Sequence, residues 1–249
     1  MILTSQIYDT LLTAIRKDKR GLSFSPDDYN NIIVQVNQRL YRKNYRDFET
    51  SKISMSEMDS FKIPNFSIDL DSDGIGILPV DYYILVGDPY YIHPTSGRCR
   101  IDLITSLEHS QREMDYLTKG SDLYPTAFMA YSTNANDMSL FVTPTTCTPV
   151  FIDYLRKVAT PYLDYYVNDT TMEITYMAEG ATVTIPLGCT ARDGTVGIAN
   201  VISKTVNFEF HDHDIPILEN LLMEAVGIAL PDEMLIKVSE TDDPQIERV

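Results

Sequence analysis

The chain has 249 residues, 44% of them apolar and 10% aromatic, with 36 acidic against 20 basic residues and a net charge of −16. That length supports a sizeable core, arranged as one large domain or two small ones. The charge runs against nucleic-acid grip, which depends on Lys and Arg placed on phosphate, and apolar runs as short as 32–34 and 221–223 exclude a membrane-spanning helix.

The opening Met1-Ile2-Leu3-Thr4-Ser5-Gln6 lacks the basic start and apolar stretch of a secretion signal, so synthesis in the cytoplasm without export is the expectation. Cys99, Cys147 and Cys189 stand far apart with no metal-ligand or redox spacing, and read as reduced thiols.

The first sixty residues read as helices. Tyr8, Leu11, Leu12 and Ile15 recur at helical spacing on one face, and the basic residues 16–20 followed by Gly21 form a stop signal. The next start is stronger. Ser25 suits the cap, Pro26 the first helical position, and Asp27 and Asp28 place negative charge in the first turn. Phe24 and Tyr29 have the spacing of a hydrophobic staple. Tyr29, Ile32, Ile33, Val36 and Leu40 then make an apolar stripe, which predicts a helix over 26–44 with the basic residues 39–46 at its C-terminal end.

From Phe61 the period changes to short Tyr-, Val-, Ile- and Thr-rich segments between Pro, Gly, Asn and Asp, the pattern of strands and turns. Strands are expected at 82–86, 127–131, 139–143, 150–155, 172–176 and 182–186, with turns at 134–137, 168–169 and 179–180 and a short helix over 106–117. Leu218, Leu221, Leu222 and Ala225 mark a helix that Gly227 ends, and Pro231 opens a shorter one carrying Leu235 and Val238. Residues 240–249 read as a polar arm.

Signatures of catalysis are missing. No Gly-rich loop precedes Lys-Ser or Lys-Thr, Gly74-Ile75-Gly76 lacks a third glycine and a following helix, and neither Gly-x-Ser-x-Gly nor His-Glu-x-x-His occurs. His93 and His109 have no neighbouring Cys or Ser that suggests a nucleophile pair. Two constellations bear on metals. Asp69, Asp71, Asp73 and Gly74 start like a calcium loop, but its twelfth position is Val80 instead of a bidentate Glu, so an acidic turn is expected. His211, Asp212, His213 and Asp214 are residue types that suit zinc or manganese, yet they directly precede a helix, where capping acids belong. The reading is therefore no catalytic, cofactor-binding or metal site, with an ion at either constellation as the alternative. The sixteen tyrosines, including Tyr82-Tyr83, Tyr90-Tyr91 and Tyr165-Tyr166, point to protein interfaces more than to base stacking in so acidic a chain.

Three places carry a family texture. One is Leu22-Ser23-Phe24-Ser25-Pro26-Asp27-Asp28-Tyr29-Asn30 with Asn37, Arg39 and Leu40. Another is Leu78-Pro79-Val80-Asp81-Tyr82-Tyr83 and later Val150-Phe151-Ile152-Asp153-Tyr154-Leu155-Arg156-Lys157 with Pro161. The last is His211 to Asp214, then Gly227-Ile228-Ala229-Leu230 with Asp232 and Glu233. In these places, and in order and texture over most of its length, the chain resembles the neck, or head-to-tail connector, proteins of tailed Bacteroidota phages, crAss-like phages included. The resemblance implies a virion structural protein and not an enzyme. The implied role is a portal adaptor that forms a homo-oligomeric ring, usually a dodecamer of twelve copies. Such a ring contacts the portal protein, neighbouring rings or tail proteins, and DNA passes through it without specific binding and without a membrane. The alternatives are a head decoration, a β-rich binding module, or a metal enzyme using residues 211–214.

The fold expected is α+β, with N- and C-terminal helices packed together and an antiparallel, β-rich middle, since helices and strands are segregated along the chain. Its parts are a helical segment 1–60, a β-rich domain 61–210, helices over 211–239 that pack back on the first, and the arm 240–249.

Overall fold

The computed structural model describes residues 2–17, 24–50, 58–115, 117–131 and 138–227. The fold is α+β, and it divides into two compact units, one made of residues 1–57 and 158–249, the other of residues 58–157.

In the first unit, helix α1 (Thr4–Lys17) buries Ile7, Tyr8, Leu11 and Ile15, while Leu12 of the expected stripe is half-buried. Helix α2 (Pro26–Thr50) begins as its sequence predicts. The Asp28 N–H donates to Ser25 Oγ at 3.2 Å and the Ser25 N–H donates to Asp28 Oδ2 at 3.0 Å, so the two orphan donors are satisfied reciprocally. The Ser25 hydrogen bonds hold the exposed Asp28 carboxyl below its usual range. Phe24 and Tyr29 both lie against the Tyr8 ring, with centroids at 6.1 and 5.0 Å.

Helix α2 runs past the expected end at 44, because Tyr41 and Asn44 continue its buried face. Arg39, Arg42, Lys43 and Arg46 therefore lie inside the helix and not at its C-terminal end, which removes the dipole argument for them. The expected stop at Gly21 falls outside the described residues.

The second unit is almost all β. A 3₁₀ turn, Asp59–Phe61, leads into β1 (Lys62–Ile68), β2 (Ile75–Ile77), β3 (Tyr82–Leu85), β4 (Tyr90–His93), β5 (Gly97–Arg100) and β6 (Asp102–Leu103). Helix α3 (Ser106–Met114) follows, then β7 (Thr126–Tyr131), β8 (Met138–Thr143) and β9 (Val150–Arg156). The Thr105 hydroxyl caps α3 by accepting from the Glu108 N–H, and the helix stops at Met114, three residues before the expected Leu117.

One sheet has the order β1-β9-β4-β5, with β3 also paired to β9, and the other has the order β2-β8-β7-β6. All these pairings are antiparallel except β6–β7. Residues of both sheets share one core, with Ile68, Tyr91, Leu140, Val142, Val150, Ile152 and Tyr154 among them.

The first unit resumes with β10 (Tyr165–Asn168), β11 (Ile174–Tyr176), β12 (Thr182–Thr184), β13 (Cys189–Ala191) and β14 (Asn200–Ile202). These form a β11-β10-β13 sheet and a β12–β14 pair, both antiparallel, over a small core of Met177, Ile185, Cys189 and Ala191. A 3₁₀ turn, Asp212–Asp214, opens helix α4 (Ile215–Val226), whose Leu218 and Leu222 are fully buried. Gly227 ends it in the left-handed conformation, φ 78°, as a C-terminal glycine should. Helix α4 packs on both α1 and α2, and Arg39 pairs with Glu224 at 3.1 Å.

The stretch 61–210 is thus shared between two units. Residues up to 157 belong with the β-rich unit, and the strands after it belong with the helices. The reason is long-range hydrogen bonding. Asn30 Nδ2 donates to the Leu163 carbonyl at 2.9 Å, and the Leu163 N–H donates to Asn30 Oδ1 at 2.8 Å. Asn37 Nδ2 donates to the Ala159 carbonyl at 3.0 Å. At the other end, the backbones of Ile2 and Phe208 exchange two hydrogen bonds, and the Thr4 N–H donates to Asn207 Oδ1. The helix expected after Pro231, the turn at 134–137 and the arm at 240–249 lie outside the described residues.

Replacing Asn30 with Ala would strand a buried carbonyl and a buried N–H of Leu163. Stability should fall by about 2–4 kcal/mol, measured by urea unfolding against the parent chain. Asn30→Asp should recover only part of the loss, because its carboxylate cannot donate.

Candidate functional site

The His211–Asp214 corner is a helix entry. The His211 N–H donates to Asp214 Oδ2 at 3.3 Å and the Asp214 N–H donates to the His211 carbonyl at 2.9 Å. Asp214 is buried, while the His211 and His213 rings are exposed and stacked, with centroids 5.5 Å apart and 10° between planes. The second carboxylate, Asp212, is also exposed. Among the described residues, no group of three or more His, Cys, Asp or Glu is placed to hold a metal ion.

The Asp69–Gly74 segment is a turn between β1 and β2. Asp71 Oδ1 accepts from the Asp73 and Ile75 N–H groups at 2.9 and 2.8 Å, so this carboxylate is occupied by its own loop. Gly74 has φ +76°, and a Cβ there would stand 2.4 Å from the Val142 carbonyl oxygen. Glycine is required on both counts.

Most of the paired tyrosines are core residues. Tyr90 and Tyr91 are both buried, as are Tyr82 and Tyr165, whereas Tyr83 is exposed. The expectation that they mark interfaces applies to few of them, because their hydroxyls find partners inside each unit. Tyr90 Oη donates to Asn65 Oδ1 at 2.7 Å, Tyr154 Oη to Asp81 Oδ1 at 3.1 Å, Tyr8 Oη to the Phe24 carbonyl at 3.0 Å and Tyr176 Oη to Asp9 Oδ1 at 3.1 Å. Tyr91 Oη donates to the Asp122 carbonyl.

Burial pushes the Tyr8 phenol up to about 12, with Asp9 adding to the rise. Burial does the same to Tyr165, helped by Asp27. Burial likewise pushes the Cys147 thiol up, away from the thiolate a nucleophile needs. All three cysteines are free thiols.

Among the described residues, two of the surfaces left exposed have a defined setting. In the second unit a groove of about 710 Å³ runs between β5 and the segment after α3. Arg98, Arg100, Arg112 and Lys119 line it, with Leu117, Leu123 and Tyr124 as its apolar part. Helix α3 beside it buries none of its side chains, and Leu107 and Met114 face solvent. In the first unit, the loop between β13 and β14 presents Val196 and Ile198, and Leu187 lies against Gly197. Ile198 is 73% exposed. Its φ of 50° is in the left-handed region, which a β-branched side chain resists. That conformation is held by the Ile198 N–H donating to the Ile185 carbonyl at 2.8 Å, and by Gly197 N–H to Cys189 at 3.2 Å.

Sequence reasoning found neither surface. The groove's cations are single residues scattered over 98–119, and a large apolar side chain at a strained turn has no local signature. The positive clue was modest: Leu123 and Tyr124 are apolar residues in a segment where neither a strand nor a helix was expected.

Comparison with known proteins finds no protein-family model and no curated protein that matches this sequence. No described helix is long and apolar enough to cross a membrane.

Two outcomes follow from these geometries. Asp214→Ala removes the acceptor that closes the α4 entry and should cost about 1–2 kcal/mol in thermal or urea unfolding. For the tyrosines, an unfolded phenol ionises near pH 10, while folded Tyr8 and Tyr165 hold their protons to about 12. Their stabilising contribution is complete below pH 10 and is lost as pH rises through about 12. Unfolding midpoints should fall steeply across that window, with phenolate absorbance rising at the same transition. Tyr8→Phe should reduce the slope.

Proposed function

We propose that the chain is a structural subunit of a virion, assembling with copies of itself into a closed ring of a phage neck or tail conduit. The observation that supports this most directly is the presence of two unlike exposed apolar surfaces, one on each unit. A cyclic assembly needs heterologous contacts, in which one patch of a subunit meets a different patch of the next. Leu187, Val196 and Ile198 form one such surface, and Leu107 and Met114 of α3 form the other. Exposed apolar groups on a rigid, strained turn are what an interface retains and a solvent-facing loop discards.

The charge supports the same reading. A ring around moving DNA works best when its wall does not bind phosphate, and a net charge of −16 disfavours such binding. The order and texture of the sequence, from the Ser25-Pro26 helix start to the His211–Asp214 entry, are similar to those of neck proteins of tailed phages, which stack on the portal and on neighbouring rings. The named alternative is another phage structural protein, such as a head decoration, or a β-rich binding module.

Purified full chain should sediment and image as a closed ring, and Leu187→Asp with Ile198→Asp should shift it to monomer without lowering its unfolding midpoint. A chain that stays monomeric at high concentration, or that binds particles only at the capsid surface, rejects the ring.

A further inference from the structure

The groove of the 58–157 unit is lined mainly by basic and apolar residues. Its lining carries four cations, Arg98, Arg100, Arg112 and Lys119, and one carboxylate, Asp102. In a chain with 36 acidic and 20 basic residues such a lining is locally basic, although Asp88, Glu108 and Glu113 pair with three of its cations from outside it.

The four cations are not equally committed. Arg112 is held by Asp102 at 3.1 Å and Glu108 at 2.7 Å, with its side chain only 31% exposed. It belongs to the frame. Arg100 and Lys119 make single contacts, to Asp88 at 3.0 Å and Glu113 at 3.1 Å. The Arg100–Asp88 pair is solvent-exposed and contributes little, so it exchanges readily for another carboxylate, whereas Glu113 is only 30% exposed. Arg98 has no carboxylate partner among the described residues, and its guanidinium lies 3.5 Å from the centroid of the Tyr90 ring.

The floor supplies a further observation. Thr126 lines the groove, is buried, and its hydroxyl has no hydrogen-bond partner among the described residues. Gly120 packs closely beside it, and a Cβ there would stand 2.6 Å from the Thr143 carbonyl oxygen and 3.0 Å from Thr126 Oγ1. A buried hydroxyl left without a partner is costly, and a bound backbone group would satisfy it.

Leu117, Leu123 and Tyr124 make the remaining wall apolar. Cations on one side, an aliphatic and aromatic wall on the other and a polar floor match an acidic peptide segment with an aliphatic side chain. They match a nucleic acid less well, because the aliphatic wall of Leu117 and Leu123 offers a sugar-phosphate backbone nothing to bind.

We propose that this groove is a docking site for an acidic, extended peptide, and that the peptide is residues 240–249 of a second copy of the chain. That segment has Glu240, Asp242, Asp243 and Glu247 against Arg248, with Ile246 as the aliphatic anchor and Pro244 to disfavour helix. Fully extended, a stretch as long as residues 228–249 spans about 70 Å. The groove chemistry stands on its own. The choice of a second copy as donor rests on the ring reading.

The test uses the full chain carrying Asp242→Lys and Asp243→Lys, which disarms its own segment, titrated with a fluorescein-labelled synthetic peptide of residues 239–249. Saturable binding is expected, weakening at least tenfold on adding Arg98→Glu and Lys119→Glu, on replacing Ile246 of the peptide with Asp, and on raising salt. Thr126→Val should weaken it severalfold with no fall in unfolding midpoint, a result that a merely structural hydroxyl would not produce. Absence of saturable binding, or binding indifferent to Arg98→Glu and Lys119→Glu, overturns the proposal. So does a duplex oligonucleotide that binds with the same dependence on those two cations. Rings without peptide binding would retire the groove assignment alone, and peptide binding without rings would retire the ring reading alone.

Discussion

The helical unit depends on a row of asparagines. Asn30, Asn37 and Asn44 recur every seven residues along α2, and all three are buried. Two of them bind the backbone of the chain where it returns from the β-rich unit, Asn30 at Leu163 and Asn37 at Ala159. A segment without a strand partner has backbone groups that must be satisfied if it is to be buried. The amide side chain supplies both a donor and an acceptor, so one residue can stand in for a neighbouring strand. The rest of the unit is arranged around that attachment. The strands after Leu163 are set by it, and Phe208 and Asn207 then close on Ile2 and Thr4 at the start of the chain.

The same unit shows why its polar groups are structural and its apolar ones are not all buried. The tyrosine hydroxyls, the Asp214 carboxylate and the Ser25–Asp28 pair each serve a backbone or side-chain partner nearby. Groups so engaged have little capacity left for chemistry on a ligand. Leu187, Val196 and Ile198 are the opposite case, apolar groups held in water by a backbone that is well hydrogen-bonded. The β-rich unit repeats the contrast, with a closed core under two sheets and an open groove beside α3. Acidic charge keeps such surfaces from indiscriminate association, and a locally basic groove gives an acidic partner a defined place to sit.

The sequence by itself determined what is decided within a few residues. The α2 start was legible because Ser25, Pro26 and Asp28 act over a single turn, and the α4 end because Gly227 meets a left-handed requirement at one position. The Asp69–Gly74 turn and the capping role of Asp214 were legible for the same reason, as side chains that bond their own backbone. Six strand positions were readable from β-branched and aromatic runs. Strands β2, β6, β13 and β14 have two or three residues, too few for a period to show, and the seven-residue β1 was not legible either, because Pro64 and Asn65 interrupt it and most of its side chains are exposed.

Only the tertiary structure decided what depends on residues far apart. The division at 57 and 158 follows from α2 bonding residues more than a hundred positions away, which no local pattern encodes. The burial of Tyr90 and Tyr91 on both faces of β4 depends on β9 and β5 covering that strand, so tyrosines that looked like interface residues became core. The groove likewise comes into being only when β5 and the chain after α3 are brought side by side, gathering cations that the sequence keeps apart. Capping and turn formation are short-range and visible in order along the chain, whereas burial and the sign of a surface are sums over neighbours that folding alone assembles.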